Sequence, residues 1–515
     1  MNVVFQNPTA SRQAIDARVC PVDASRLCVA FVLFSACYAQ PARADLVLYR
    51  VPGLSSVVAL QGTTTVNQGG SVTYKHPEFG TLYFDIKDAK IHRVPTPSAT
   101  FYRRARIAGT DADKLMDTAR WALRNGLLKQ HYEAVDKALE ANSQHPDAMR
   151  VRDLKRRIDV PIADSTQQEK EIRELVGRPD MKIKTSKHFV LLYDTSDKPT
   201  EYKKTSRAEQ RLELLELVYE SFMLRFFSHG VDLDIPQERL KVVLFSEHKD
   251  YLLFATQLSP SLQSASGFWD SQNNTSVFYD HATTDDFKIL QKMSDRLQAL
   301  KESAKKLKRD ERPNFKVGDR IIELKDLARM ADTIELLVGI ERENLDIEVV
   351  SHEATHQMAG NTGLFPRDVV VPSWVHEGLA TYFETPDDAA WSGIGAVNKD
   401  RLDLYRVLER DRVHSNIDFI VGDQIFDMAA TIRGTLHGYG QAWALTHFLM
   451  ERHFREFITF YRRIGEMPPD VLISPQVLTE LFSESFGTDR RSLDSEWRAY
   501  MRTLKTDLEL ILEEE

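Results

Sequence analysis

The pentapeptide His352-Glu353-Ala354-Thr355-His356 decides how this chain is read. On a helix, residues four apart stand one turn above the other and about 40° apart around the axis, so both imidazoles can reach one ion. The glutamate after the first histidine can touch a water held by that ion without entering its coordination shell. The flanks predict the helix itself. Asn344-Leu345-Asp346-Ile347-Glu348-Val349-Val350-Ser351 carries aliphatic residues at helical spacing, with no proline or glycine. Gly360-Asn361 then reads as a helix stop.

A second helix is expected from Pro372-Ser373, because proline is tolerated in a first turn. It runs from Trp374 through Val375-His376-Glu377-Gly378-Leu379-Ala380-Thr381-Tyr382-Phe383 to Glu384 and stops before Pro386. The pattern Trp-x-x-Glu-Gly-x-Ala-x-Tyr, about twenty residues after H-E-x-x-H, resembles the third-ligand helix of the gluzincin metallopeptidases, the aminopeptidase-like branch of the zincins. The metzincin extension is excluded, since Ala359 and Thr362 stand where it needs glycine and histidine. The resemblance implies one Zn2+ per chain, bound by His352, His356 and Glu377, with Glu353 as the base that activates water. His376 is the rival third ligand; adjacent helical positions point about 100° apart, and the family pattern selects the glutamate. Gly378 would let the two helices approach closely.

The implied fold is α+β: a zincin-like metallopeptidase domain over residues 169–511, with a mixed sheet over the active-site helix and a helical C-terminal part. His188–Tyr193 and Leu240–Phe245 are strand candidates, separated by a helical stretch from Arg207 to Phe227. Gly267–Tyr279 reads as a hairpin, which in zincins would border the cleft and pair with an extended substrate. An insert at about 284–332 includes Lys301-Glu302-Ser303-Ala304-Lys305-Lys306-Leu307-Lys308-Arg309. It reads as a solvated helical hairpin rather than a patch for an anionic partner, because Glu302, Asp310 and Glu311 interleave the positive charges. Further on, Leu436–Leu449 begins a strongly apolar helix. The resemblance implies that Tyr439, or else His437, leans over the metal and donates to the oxyanion. The C-terminal segment, with Phe482, Phe486-Gly487, Trp497 and Tyr500, is similar to that of secreted bacterial gluzincin-like (peptidase MA-like) proteins of unknown function.

Ahead of this domain, residues 45–105 show short alternating segments punctuated by Gly62, Gly69-Gly70 and Gly80, which predicts a small β-barrel or meander. Residues 111–160 resemble a single tetratricopeptide-like helical hairpin, suited to packing or a partner contact rather than a peptide groove. Residues 1–44 read as a secretion signal: Arg26, an apolar run from Leu27 to Ala39, then Pro41-Ala42-Arg43-Ala44 before Asp45. That places the mature chain in the periplasm or outside the cell. A lipidated Cys37 is the less favoured alternative, because Phe34 fits the position before it poorly. All three cysteines, Cys20, Cys28 and Cys37, fall within this leader, so cleavage leaves only His, Glu and Asp as metal donors. No other apolar run is long enough to span a bilayer, and a net charge of -9 without basic blocks gives no footprint for nucleic acid.

The expected activity is therefore zinc-dependent hydrolysis of a peptide or protein substrate, including cell-envelope material. Two alternatives stand beside it: a catalytically silent zinc-binding scaffold, and a zinc hydrolase of non-peptide amides in the cell envelope. Protein recovered from a secreting bacterial host is expected to begin at Asp45, read by intact mass; acyl chains on Cys37 would replace that expectation with a lipoprotein.

Overall fold

The structure, a computed structural model, describes residues 43–513 apart from 53–56, 201–202, 307–314, 318–319, 385–393 and 428–431. Cys37 and the expected leader up to residue 42 lie outside these residues, as does the end of the charged run from Leu307. The elements run β1 Arg43–Arg50, β2 Val57–Val66, β3 Ser71–His76, β4 Gly80–Asp85, β5 Ala89–Pro95, α1 Pro97–Ala108, α2 Ala112–Arg124, α3 Leu128–Ala141, α4 Pro146–Ile158 and α5 Thr166–Val176. Then come β6 Lys182–Thr185, β7 Phe189–Tyr193, α6 Arg207–Phe227, β8 Leu240–Phe245, α7 His248–Leu258, β9 Phe268–Asp270, β10 Thr275–Tyr279, α8 Asp285–Lys305, β11 Phe315–Val317 and β12 Arg320–Ile322. The rest is helical: α9 Leu324–Asn361, α10 Ser373–Phe383, α11 Lys399–Leu408, α12 Ile417–Val421, α13 Gln424–Asp427, α14 Ile432–Arg452, α15 Phe454–Gly465, α16 Pro475–Phe486, α17 Arg490–Thr503 and α18 Asp507–Glu513. No helix of the described residues is long and apolar enough to cross a membrane.

The second sheet, in the order β6-β7-β8-β10-β9, is mixed: β7, β8 and β10 are parallel, and β6 and β9 close the two edges antiparallel. Its central strands are buried at every position but Lys241 and are mostly apolar, because both faces are covered. Alternate side chains go to opposite sides. Phe189, Leu191, Val242, Leu244 and Phe278 face a core shared with α6 and α9. Leu192, Val243, Phe245, Val277 and Tyr279 face α7, through Tyr251 and Phe254, and Ile172 of α5. The sheet therefore rests on α9, and its β9 edge lies beside the H-E-x-x-H turns.

α9 is 38 residues long and begins well before the expected start near Asn344. Leu327, Met330, Leu336, Leu337 and Ile340 extend it, and their partner is the N-terminal sheet, contributed by Val47, Tyr49, Val58, Leu60, Val72, Tyr74, Leu82 and Phe84. Burial of large apolar side chains like these stabilises by about 1.5–3 kcal/mol each. The part of the insert that lies before β11 is α8, packed along α9; Lys301 is buried against it, with Nζ 2.5 Å from Asp332 Oδ1.

The N-terminal sheet has the order β4-β3-β2-β1-β5, antiparallel throughout, with β4 and β5 as separate edges. Neither expectation, barrel or meander, describes it alone: β1 to β4 follow one another as a meander, and β5 crosses back to pair with β1. Its fifth strand escaped the sequence reading because Lys90, His92 and Arg93 interrupt its apolar positions; Ala89 and Ile91 face the core shared with α9, and His92 is buried toward the other face. On the other face, Leu46 and Ala59 pack with Leu508 and Ile511 of α18. The helical region also departs from a lone hairpin. α2 and α3 do pair, but α1 and α4 flank them, and the group shares its core with α6.

Gln357, the residue after His356, fixes the register of α9 under the sheet. Its amide donates to the carbonyls of Lys241 (3.1 Å) and Asn274 (3.3 Å) and accepts from the Ser276 hydroxyl (3.0 Å), all in the interior. Gln357→Leu strands three buried polar partners, so the unfolding free energy is expected to fall by about 2–4 kcal/mol. A lower urea midpoint at unchanged slope is the readout; an unchanged midpoint would show that the amide does not hold α9.

Candidate metal centre

α9 carries His352, Glu353 and His356 in its last turns, and α10 brings Glu377 against them. α10 starts where the Asp423 carboxylate accepts the backbone N–H groups of Ser373 and Trp374, both at 2.8 Å, satisfying two of its unpaired N-terminal donors. Trp374 Nε1 donates to the Val421 carbonyl at 3.2 Å, which sets the entry angle. At Gly378 a Cβ would lie 2.2 Å from Thr446 Oγ1 and 2.9 Å from the Ala442 carbonyl oxygen. The close approach that glycine permits is thus between α10 and α14, not between α10 and α9 as the sequence suggested.

Three donor atoms converge. His352 Nε2 is 3.1 Å from His356 Nε2 and 3.1 Å from Glu377 Oε2, and His356 Nε2 is 3.6 Å from Glu377 Oε2. Tetrahedral ligands held at ~2.0–2.1 Å from an ion stand about 3.3 Å apart, so the spacing fits one bound metal. Among the described residues this is the one group of three His, Cys, Asp or Glu residues placed to hold a metal ion. The electrostatics agree. Burial disfavours charge on His352, yet hydrogen bonds to Glu377 and Glu384 outweigh it and raise its affinity for a proton well above the ordinary value. Burial and the nearby His376 push His356 down to about 3. One imidazole attracts positive charge while the other is kept neutral, and a divalent ion between them answers both demands.

The ring of His352 is oriented from behind. Its Nδ1 donates to Glu384 Oε1 at 2.8 Å, which turns Nε2 toward the donor triad. Arg401 grips Glu384 in a two-bond fork, Nε to Oε2 and Nη2 to Oε1, both 2.9 Å, and Asn398 Nδ2 adds a bond at 3.2 Å. Burial would raise the Glu384 carboxyl, but Arg401 and His352 hold it well below its usual range. His356 is held differently: the His376 ring stacks on it at 3.7 Å, nearly parallel at 8°. His376 Nδ1 stays 3.7 Å from Glu377 Oε1, so the rival third ligand buttresses the site without joining the triad.

Glu353 stands outside the triad and lines the cleft. Its carboxylate accepts a hydrogen bond from the backbone N–H of Trp269 in β9. Burial pushes it up to about 7, with His352 pulling the other way and the Glu377 charge adding to the rise. The cleft encloses about 580 Å³ between β9 and the segment from Phe365 to Val371, with His352, Glu353, His356 and Glu377 on its floor.

The two expected oxyanion donors separate. Tyr439 lines the cleft, and its hydroxyl donates to Glu377. Burial raises its pKa well above the ordinary value, so it stays a donor, and Arg401 lies over its ring at 5.5 Å. His437, two residues earlier on α14, points about 200° away and is not among the cleft-lining residues. Glu384, Arg401, Asn398 and the Trp269 amide surround the triad and Glu353 without any signal in the sequence: Glu384 reads there only as the end of a helix, and nothing in its spacing from Arg401 signals the pair.

A family model described as a protein of unknown function (DUF1570) matches residues 346–470. That stretch includes the triad, Glu353, Glu384, Arg401 and Tyr439. No curated protein and no solved structure matches the chain.

Because Glu384 sets the tautomer of His352, Glu384→Gln is expected to weaken metal binding about 10- to 100-fold, measured by competition with a chelator. Unchanged affinity would mean that the Glu384–Arg401 fork is only a packing feature.

Proposed function

We propose that the protein is a zinc metallopeptidase of gluzincin type, acting outside the cytoplasm on peptide or protein substrates. The observation that carries this is the division of labour among four side chains in one cleft. His352, His356 and Glu377 converge at metal-ligand spacing, while Glu353 faces the same point without joining them. Two imidazoles and a carboxylate are a donor set of catalytic zinc, which leaves a coordination position open. When bound, zinc supplies a Lewis acid and lowers the pKa of the water it holds toward ~7.

The chain's own residues then have distinct tasks. Glu353, poised near 7, accepts the proton of the attacking water and delivers it to the departing amine. The Trp269 N–H keeps that carboxylate aimed. Tyr439, kept protonated by burial, lines the cleft beside the triad and would serve the developing oxyanion by turning its hydroxyl away from Glu377. The β9 edge offers backbone groups to an extended substrate.

Incubating the metal-loaded protein with a peptide library and, in parallel, with purified peptidoglycan tests the reading. Cleavage of peptides supports it. Release of amide products from peptidoglycan alone would favour a cell-envelope amidase, and inertness toward both would favour a silent scaffold. Within an active protein, Glu353→Gln is expected to keep its metal and fold while turnover collapses, because the amide cannot take the proton. Tyr439→Phe removes one oxyanion donor and is expected to cost turnover on the order of a hundredfold. Undiminished activity in Glu353→Gln would contradict this assignment of roles.

A further inference from the structure

Two turns before Glu353, on the same face of α9, a second polar cluster lies in the interior. Asp346 is buried between Arg211 Nη2 (2.5 Å), Arg207 Nη2 (3.1 Å) and His281 Nδ1 (3.2 Å). Burial would raise its carboxyl, but Arg207 and Arg211 overcome this and hold it far below the usual range. His281 has no exposed surface, and its Nε2 donates to the backbone carbonyl of Ser266 at 3.0 Å. The Ser266 side chain is in turn hydrogen-bonded to Tyr279.

Ser266 is the hinge of the catalytic edge. The next residue, Gly267, lies so close to α9 that a Cβ there would come within 2.8 Å of Val349 Cγ1 and 3.4 Å of Glu353 Cγ. Two residues further on, Trp269 supplies the N–H bonded to Glu353. A buried ion cluster contributes little net stability compared with apolar packing of the same volume. What this one supplies is a fixed distance between α9 and the strand beside it.

We infer that His281 is a positioning residue that clamps Ser266 through Nε2 and so holds β9 at the height where the Trp269 amide aims Glu353. The catalytic consequence rests on the peptidase reading above; the clamp itself does not. The same strand that offers its edge to substrate thereby also orients the base.

The imidazole can be divided by substitution. Glutamine places its amide nitrogen near the position of Nε2 and can keep the bond to Ser266, whereas asparagine reaches only as far as Nδ1, toward Asp346. Metal-loaded full-length protein is compared as wild type, His281→Asn and His281→Gln by hydrogen-exchange mass spectrometry over residues 266–270, together with kcat and KM. His281→Asn is expected to exchange that segment about tenfold faster and to lose about tenfold in kcat with KM within about twofold. His281→Gln is expected to stay within about twofold of wild type in each measurement. Exchange unchanged in His281→Asn, or raised equally in both variants, would overturn the clamp. Should His281→Asn not fold, raised exchange in His281→Gln alone would overturn it, and wild-type exchange there would sustain it. A wild type inert toward peptides would remove the peptidase reading, while the exchange data still decide the clamp.

Discussion

Two imidazole nitrogens 3.1 Å apart, with a carboxylate oxygen 3.1 Å from one and 3.6 Å from the other, are the constraint on which the rest of the site depends. Three such atoms in a buried place need a proton or a metal ion to share between them. Each donor is consequently pinned by something other than its neighbours. Glu384 and Arg401 hold His352, the His376 ring backs His356, and the Asp423 cap fixes the start of the helix that carries Glu377. Gln357 locks the same turn of α9 to the strands above it. A preorganised donor set avoids the ordering cost that a flexible one would meet on binding.

The long α9 links regions that the chain order keeps apart. Its N-terminal half is the floor for the sheet of β1–β5, and its C-terminal half carries the turns with His352 and His356. α18 covers the opposite face of the same sheet. The N-terminal sheet is therefore built into the support of the helix that carries the site.

Local pattern made the core of the site legible. The spacing of His352 and His356 and the motif around Glu377 depend on one helix each, and both helices lie where periodicity placed them. α6 and the strands β7, β8 and β10 were legible for the same reason: long apolar runs with a clear period. What escaped depends on distant partners. The start of α9, up to about residue 332, looked like part of a charged insert because its apolar stripe is buried only by a sheet more than two hundred residues earlier. Strand β5 hides because Lys90, His92 and Arg93 interrupt its apolar positions, and the Glu384–Arg401 fork spans a loop with no spacing rule. The sequence put Tyr439 ahead of His437 only by resemblance, and the rotation of α14 places Tyr439 alone of the two on the cleft wall.

Metal content is the most direct test of the central claim. The purified chain is expected to hold about one zinc, released by chelation and lost in Glu377→Ala, because each of the three donors supplies a coordinating bond. Zinc kept at wild-type affinity by Glu377→Ala, or a wild-type chain that binds no metal at all, would contradict it.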